Sequence, residues 1–152
     1  MLDPELRELY QQVILDHNKS PRNFKKLESA NRTAEGYNPL CGDKIDIFLD
    51  VEGDIVKNIS FQGSGCAISK ASASLMSEVV KGKSVQEAKK IFEKFHDLIT
   101  GKLNEDDNIE ELGKLAVLAG VKEFPIRVKC ASLAWHTMLS ALKNEEKTIT
   151  TE

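Results

Sequence analysis

A chain of 152 residues, 41% hydrophobic and 30% charged, has the make-up of one soluble domain with a real core. Its formal net charge of -3 leaves no basic footprint, which argues against a nucleic-acid partner. No apolar run is long enough for a membrane span, "MLDPELRELY" lacks a signal-peptide layout, and three cysteines without a CxxC pair argue against a disulfide framework. The expected setting is a reducing cytoplasm, where thiols stay free or bind metal.

Asp3-Pro4 reads as a cap followed by proline at the first helical position. Leu6, Leu9, Tyr10, Val13, Ile14 and His17 recur at helical spacing, and "NKSPRN" ends the run. A strand is expected around "RTAEGY". The next is clearer, because Ile45, Ile47, Leu49 and Val51 alternate with mostly polar neighbours. "EGD" turns the chain back, and "IVKNISFQG" returns as an antiparallel partner.

In "GSGCAISKASASLMSEVV" glycines lead into a helix rich in Ala and Ser, whose small side chains let it lie close to a sheet. Ser84 caps a further helix, "SVQEAKKIFEKFHDLI", and Gly101 stops it. "KLNEDDNIEELGKLAVLAGVKEF" reads as a short helix plus connections, broken by two glycines. Pro125 opens the last helix, with Val128, Ala131, Trp135, Met138 and Leu142 as its apolar stripe. The tail "NEEKTITTE", from about residue 144, is expected to fray. The sum is one α+β domain over residues 1–152, a three-stranded antiparallel sheet packed against several helices.

Cys41 lies on a loop before a strand, Cys66 at the start of a helix and Cys130 one turn into another. Free cysteine is commonly just a small buried apolar residue, and the spacing here is no zinc-finger signature. The surroundings point further. Gly63, Ser64 and Gly65 lead Cys66 into a helix whose unpaired N–H groups and dipole favour a thiolate. Arg127 and Lys129 flank Cys130, and Gly42 leaves room for another molecule beside Cys41. Asp43 alone reads as a turn former; beside the cysteines it offers a hard oxygen. Three thiolates and one carboxylate make a tetrahedral set for zinc, with Asp43 as the natural ligand to exchange. "GSG" before a helix also suits a phosphate, but the lysine-threonine pattern of a P-loop is missing downstream. His17 and His96 read as helix-face residues, and His136 as a satisfied histidine rather than a ligand. "NEDDN" and "EKTITTE" read as solvated stretches.

"LYQQVILDHNKSPRN", "YNPLCGDKI", "GSGCAISKASASLM" and "VKCASLAWHT" together resemble the U-type iron–sulfur cluster assembly proteins over nearly the whole chain. That resemblance implies a metal set of Cys41, Asp43, Cys66 and Cys130. IscU-type scaffolds, which build a [2Fe–2S] cluster on these ligands, usually carry a histidine just before the third cysteine. Here that position is Lys129, and the segment between the second and third cysteines is longer. Both features resemble the SufU branch, zinc-containing sulfur acceptors for a SufS-type cysteine desulfurase that feed downstream assembly proteins. The resemblance thus implies that Cys41 accepts persulfide sulfur while zinc keeps the thiols deprotonated. Lys129 cannot coordinate while protonated and would stabilise anionic sulfur instead. Two other readings are the cluster scaffold and a small zinc-stabilised interaction module with no sulfur chemistry.

Overall fold

Strict alternation of apolar residues on neighbouring strands puts one face of a sheet in the core and leaves the other to solvent. The computed structural model describes residues 4–102, 109–143 and 149–150, and its sheet follows that rule in the strands over 32–38 and 43–52, while Ile59, Ser60 and Phe61 of the next strand are buried in succession. Strands β1 (Arg32–Asn38), β2 (Asp43–Glu52) and β3 (Ile55–Ser64) pair antiparallel in sequence order. Ala34, Ile45, Ile47, Leu49, Val51, Val56, Ile59 and Phe61 form the buried face. Glu52 pairs with Ile55, so Gly53 and Asp54 make a two-residue hairpin turn, and Gly53 takes the positive φ of 60° that such a turn demands.

Helix α1 (Pro4–Lys19) is followed, beyond the sheet, by α2 (Ala67–Val80), α3 (Val85–Ile99) and α4 (Pro125–Leu142). The small residues of α2 bury nearly its whole circumference. Its serines are spent on partners: Ser72 donates to the Ala131 carbonyl at 2.6 Å and accepts from the Trp135 indole at 3.2 Å, which locks α2 to α4. Ser74 lies 2.7 Å from His17 Nδ1 and accepts the Arg22 N–H at 2.8 Å, which ties α1 and the chain after it to α2. His17 is therefore a buried cross-link rather than an open helix-face residue. The capping box expected at Ser84 is present, with Glu87 as its partner. Trp135 stacks on Phe95 with ring centroids 4.8 Å apart, joining α3 to the core.

Two features differ from the sequence reading. The segment Ile109–Glu123 is a 3-10 run kinked at Gly113 rather than a short helix plus connections. Its most deeply buried residues, Leu112, Leu115, Leu118 and Val121, recur every three positions, the period at which 3-10 side chains eclipse, with Ala116 and Val117 buried between them. Residues 149–150 of the tail add a strand, β4 (Ile149–Thr150), parallel to β1 at Gly36 and Tyr37, so the sheet order is β3-β2-β1-β4. Asp3, the "NEDDN" stretch and residues 144–148 lie outside the described residues. Among the described residues no helix is long and apolar enough to cross a membrane.

Candidate metal centre

The antiparallel pairing of Asn38 with Asp43 closes the base of a four-residue turn, Pro39 to Gly42, at one end of the sheet. Gly42, at φ 71°, completes the turn, and Cys41 stands on it exposed to solvent. Asp43 is the first residue of β2 and fully buried. β3 ends at the same edge of the sheet, and Gly63 to Gly65 carry the chain from it into α2. Cys66 is the N-cap of α2: its backbone is extended, and its sulfur accepts the Ser69 N–H at 3.4 Å, the place a Ser or Thr oxygen usually fills. Cys130, the sixth residue of α4, is buried beneath the turn.

These elements converge. The Cys41 and Cys130 sulfurs lie 3.2 Å apart, and ligand atoms of Cys41, Asp43 and Cys130 all fall within 4.8 Å of one another. Cys66 joins through the carboxylate: its sulfur is 3.9 Å from Asp43 Oδ2, and its backbone N–H donates to Asp43 Oδ1 at 2.8 Å. All four residues singled out in the sequence meet at one point, with Cys66 at its margin. Among the described residues no histidine belongs to the cluster. His96 and His136 lie in an aromatic group around Phe92, their rings 6.1 Å apart.

The electrostatics run against the sequence argument for free thiolates. Burial pushes the Cys66 thiol up; the Ser69 N–H pulls it back in part, and the Asp43 carboxylate adds to the rise. Burial drives Cys130 up strongly, with Cys41, Asp43 and Cys66 all acting the same way. Cys130 sits past the first turn of α4, where no free helix N–H groups remain to favour a thiolate. Buried and set beside one another, the Cys66 and Cys130 thiols hold their protons more tightly than free thiols do. A divalent cation supplies positive charge and displaces the protons, and sulfur and carboxylate donors suit zinc. The donor set therefore fits zinc, with Cys41, Asp43 and Cys130 placed to hold it and Cys66 beside them, 3.9 Å from the carboxylate.

The sequence reading missed Asn38. It is fully buried, and its side-chain amide donates to Asp43 Oδ2 at 3.2 Å and to the Cys130 sulfur at 3.4 Å. Its own oxygen accepts the Leu40 N–H at 3.2 Å. The one signal available was an Asn opening the "NPLCGD" turn, a place where turn-forming side chains are ordinary.

Comparison with known proteins gives a consistent picture. The family described as NifU-like N terminal domain matches residues 9–131. The zinc-dependent sulfurtransferase SufU of Bacillus subtilis is 43% identical over 138 residues, covering 91% of this chain and 92% of the relative. The iron–sulfur cluster assembly scaffold protein IscU of Streptococcus pyogenes is 38% identical over 139 residues, covering 91% and 86%. A solved structure from Fervidobacterium islandicum AW-1, described as a candidate iron–sulfur cluster assembly scaffold for the SUF system, superposes with a TM-score of 0.81 at 34% identity, covering 90% of this chain and 98% of that one. The N-terminal part of a nitrogen-fixing NifU-like protein from Brucella abortus, at 16% identity and a TM-score of 0.80, shares the fold, covering 91% and 95%.

Proposed function

The chain belongs to the NifU-like N-terminal domain family, and within it we propose a cytoplasmic, zinc-dependent sulfur acceptor that takes persulfide sulfur from a SufS-type cysteine desulfurase for iron–sulfur cluster assembly. The observation that carries this reading is the graded exposure of the thiols: Cys41 is exposed, Cys66 half-buried and Cys130 buried. Only Cys41 stands where the sulfur of another protein can reach it. Lys129 before Cys130 and the well-packed 3-10 segment support the same branch, as does the likeness to the sulfurtransferase of B. subtilis.

The step is a thiol exchange. Cys41 Sγ, as a thiolate, attacks the outer sulfur of the desulfurase persulfide; a sulfur–sulfur bond to Cys41 forms as the bond to the donor cysteine breaks, and that cysteine leaves as a thiolate. Asp43, Cys66 and Cys130 keep their places on β2, α2 and α4 meanwhile. Zinc, when bound by the four ligands, supplies the charge that keeps the thiols deprotonated at neutral pH. Lys129, next to Cys130 in the sequence, is the residue that would stabilise anionic sulfur.

Peptide mass mapping after anaerobic incubation of the zinc-loaded protein with a SufS-type desulfurase and L-cysteine tests this. One extra sulfur on Cys41 is expected. No added sulfur with an active desulfurase overturns the reading. A stable cluster formed from iron and sulfide and passed to apo-proteins would instead make the chain a scaffold, as the streptococcal relative is named.

A further inference from the structure

We infer that Asn38 is a positioning residue of this centre, holding Asp43 and Cys130 in their metal-facing arrangement while the Cys41 turn moves. The inference rests on the proposed zinc set and adds to it a residue that binds no metal itself. Its side chain makes three contacts, each to a different part of the site. The two amide hydrogens go to Asp43 Oδ2 at 3.2 Å and to the Cys130 sulfur at 3.4 Å, and the amide oxygen takes the Leu40 N–H at 3.2 Å. The orientation follows from its partners: a flipped amide would set its oxygen against a carboxylate and leave the Leu40 N–H facing a donor.

The chemistry explains why an amide suits this place. A buried carboxylate and a buried sulfur both need hydrogen-bond donors once they are anionic. A lysine in the same place would supply donors, but its charge would neutralise the anions and compete with the cation. An aspartate would repel both. An amide gives two donors and no charge, so it orients both acceptors and leaves their negative charge for the metal. Each acceptor keeps further lone pairs for coordination. Because Asn38 pairs with Asp43 across the β1–β2 ladder, this support stands on sheet backbone rather than on the turn that carries Cys41. Asp43 and Cys130 then stay in register when Cys41 swings out, with the Leu40 contact as the hinge side of the turn.

Asn38→Asp keeps the shape and removes both donors; Asn38→Ser keeps one shorter donor and serves if the first variant does not fold. Zinc affinity of the full chain is measured by competition with a chromophoric chelator, alongside the thiolate-to-metal absorption of the cobalt-substituted protein and the urea midpoint of the metal-free protein. The expected result is about 10- to 100-fold weaker zinc binding, the usual loss when a residue supporting a ligand is changed, with an altered cobalt spectrum. Unchanged zinc affinity and cobalt spectrum, even with a lowered urea midpoint, would make Asn38 a purely structural residue and overturn the inference alone. A parent chain that binds no zinc overturns this inference and the zinc-dependent reading together.

Discussion

Gly65→Ala tests whether the carboxylate of Asp43 is held where the site needs it. A Cβ at Gly65 would stand 2.3 Å from Asp43 Oδ1 and 2.9 Å from its Cγ, where ordinary contact begins at 3.4 Å. Asp43 is fully buried and anchored on both oxygens, by the Cys66 N–H at 2.8 Å and the Asn38 amide at 3.2 Å. It cannot move aside freely, so the overlap of about 1 Å must open the Cys66 hydrogen bond or push the start of α2 away. Overpacking costs about 1–3 kcal/mol, and loss of a hydrogen bond to a charged group about 1.5–3 kcal/mol; since the two share one displacement, we expect about 2–4 kcal/mol in total. The urea midpoint of the metal-free protein reads that loss. Zinc affinity, measured on the folded fraction, should fall at least tenfold, because a displacement of about 1 Å misplaces a donor. Leu115→Ala is the control: this fully buried side chain belongs to the 3-10 segment and not to the Cys41–Asp43–Cys130 cluster, so its loss should lower the urea midpoint and leave zinc affinity near that of the parent. Equal loss of zinc affinity in both variants, or none in Gly65→Ala, would refute the argument.

Cys41→Ser should abolish sulfur acceptance in the mass-mapping assay. Its effect on the metal-free protein should stay within about 0.5 kcal/mol, because the side chain is exposed; a large fall in melting temperature would contradict its place on an open turn. Burial holds His17 below its ordinary pKa, with Arg22 acting the same way, while Glu78 and Asp16 partly oppose. Burial likewise lowers His136, helped by His96. Groups whose folded pKa is depressed bind more protons when unfolded, so stability is complete above about pH 6.5 and falls as pH drops through the folded values. His17→Gln should flatten the slope of urea midpoint against pH in that window, and an unchanged slope would remove His17 as its source. Leu115→Ala, fully buried in the 3-10 segment, should cost about 2–5 kcal/mol in urea unfolding. A cost under 1 kcal/mol would mean that this segment is a loose insertion rather than part of the core.

What the sequence carried plainly was whatever depends on near neighbours. The alternation from Ile45 to Val51 marks a half-buried strand, and the short turn before it puts Cys41 and Asp43 side by side without any knowledge of the rest. That Cys66 and Cys130 meet them is a long-range fact; it was legible only through the resemblance carried by the flanking residues, not through spacing. The thiolate argument failed on burial. Helix position is read from sequence, but desolvation depends on what packs over the sulfur, and here it outweighs the N–H groups around Cys66. The 3-10 segment was legible in principle, since Leu112, Leu115, Leu118 and Val121 keep a period of three, but glycines 113 and 120 made it look like an interrupted α-helix. A strand of two residues such as β4 has too little pattern to announce itself, and its parallel partner is remote in sequence.

The placement of the donors also ranks them by what it would cost to move each one. Releasing Cys130 would shift α4 at a point where Ala131, Leu133, Ala134 and Trp135 are all buried, so several side chains would lose their packing at once. Releasing Cys66 would break the N-cap of α2, worth about 1 kcal/mol in usual contexts, and would take its N–H from Asp43. Moving Asp43 means opening the first pair of the β1–β2 ladder and stranding a buried carboxylate, so it is not the ligand to exchange that its oxygen donor suggested from sequence. Moving Cys41 disturbs only the turn from Pro39 to Gly42, where the chain is already outside the ladder and a Cβ at Gly42 would meet nothing within 4 Å. A protein that must hold a metal yet give up one sulfur to a partner needs this division, with three donors set into the ends of strands and helices and one on a turn free to move. The same division bears on a scaffold, which holds its cargo with all donors at once and gains nothing from one loosely held ligand until the moment of release. The ease of moving Cys41 alone is thus the physical reason to expect the first transferred sulfur there.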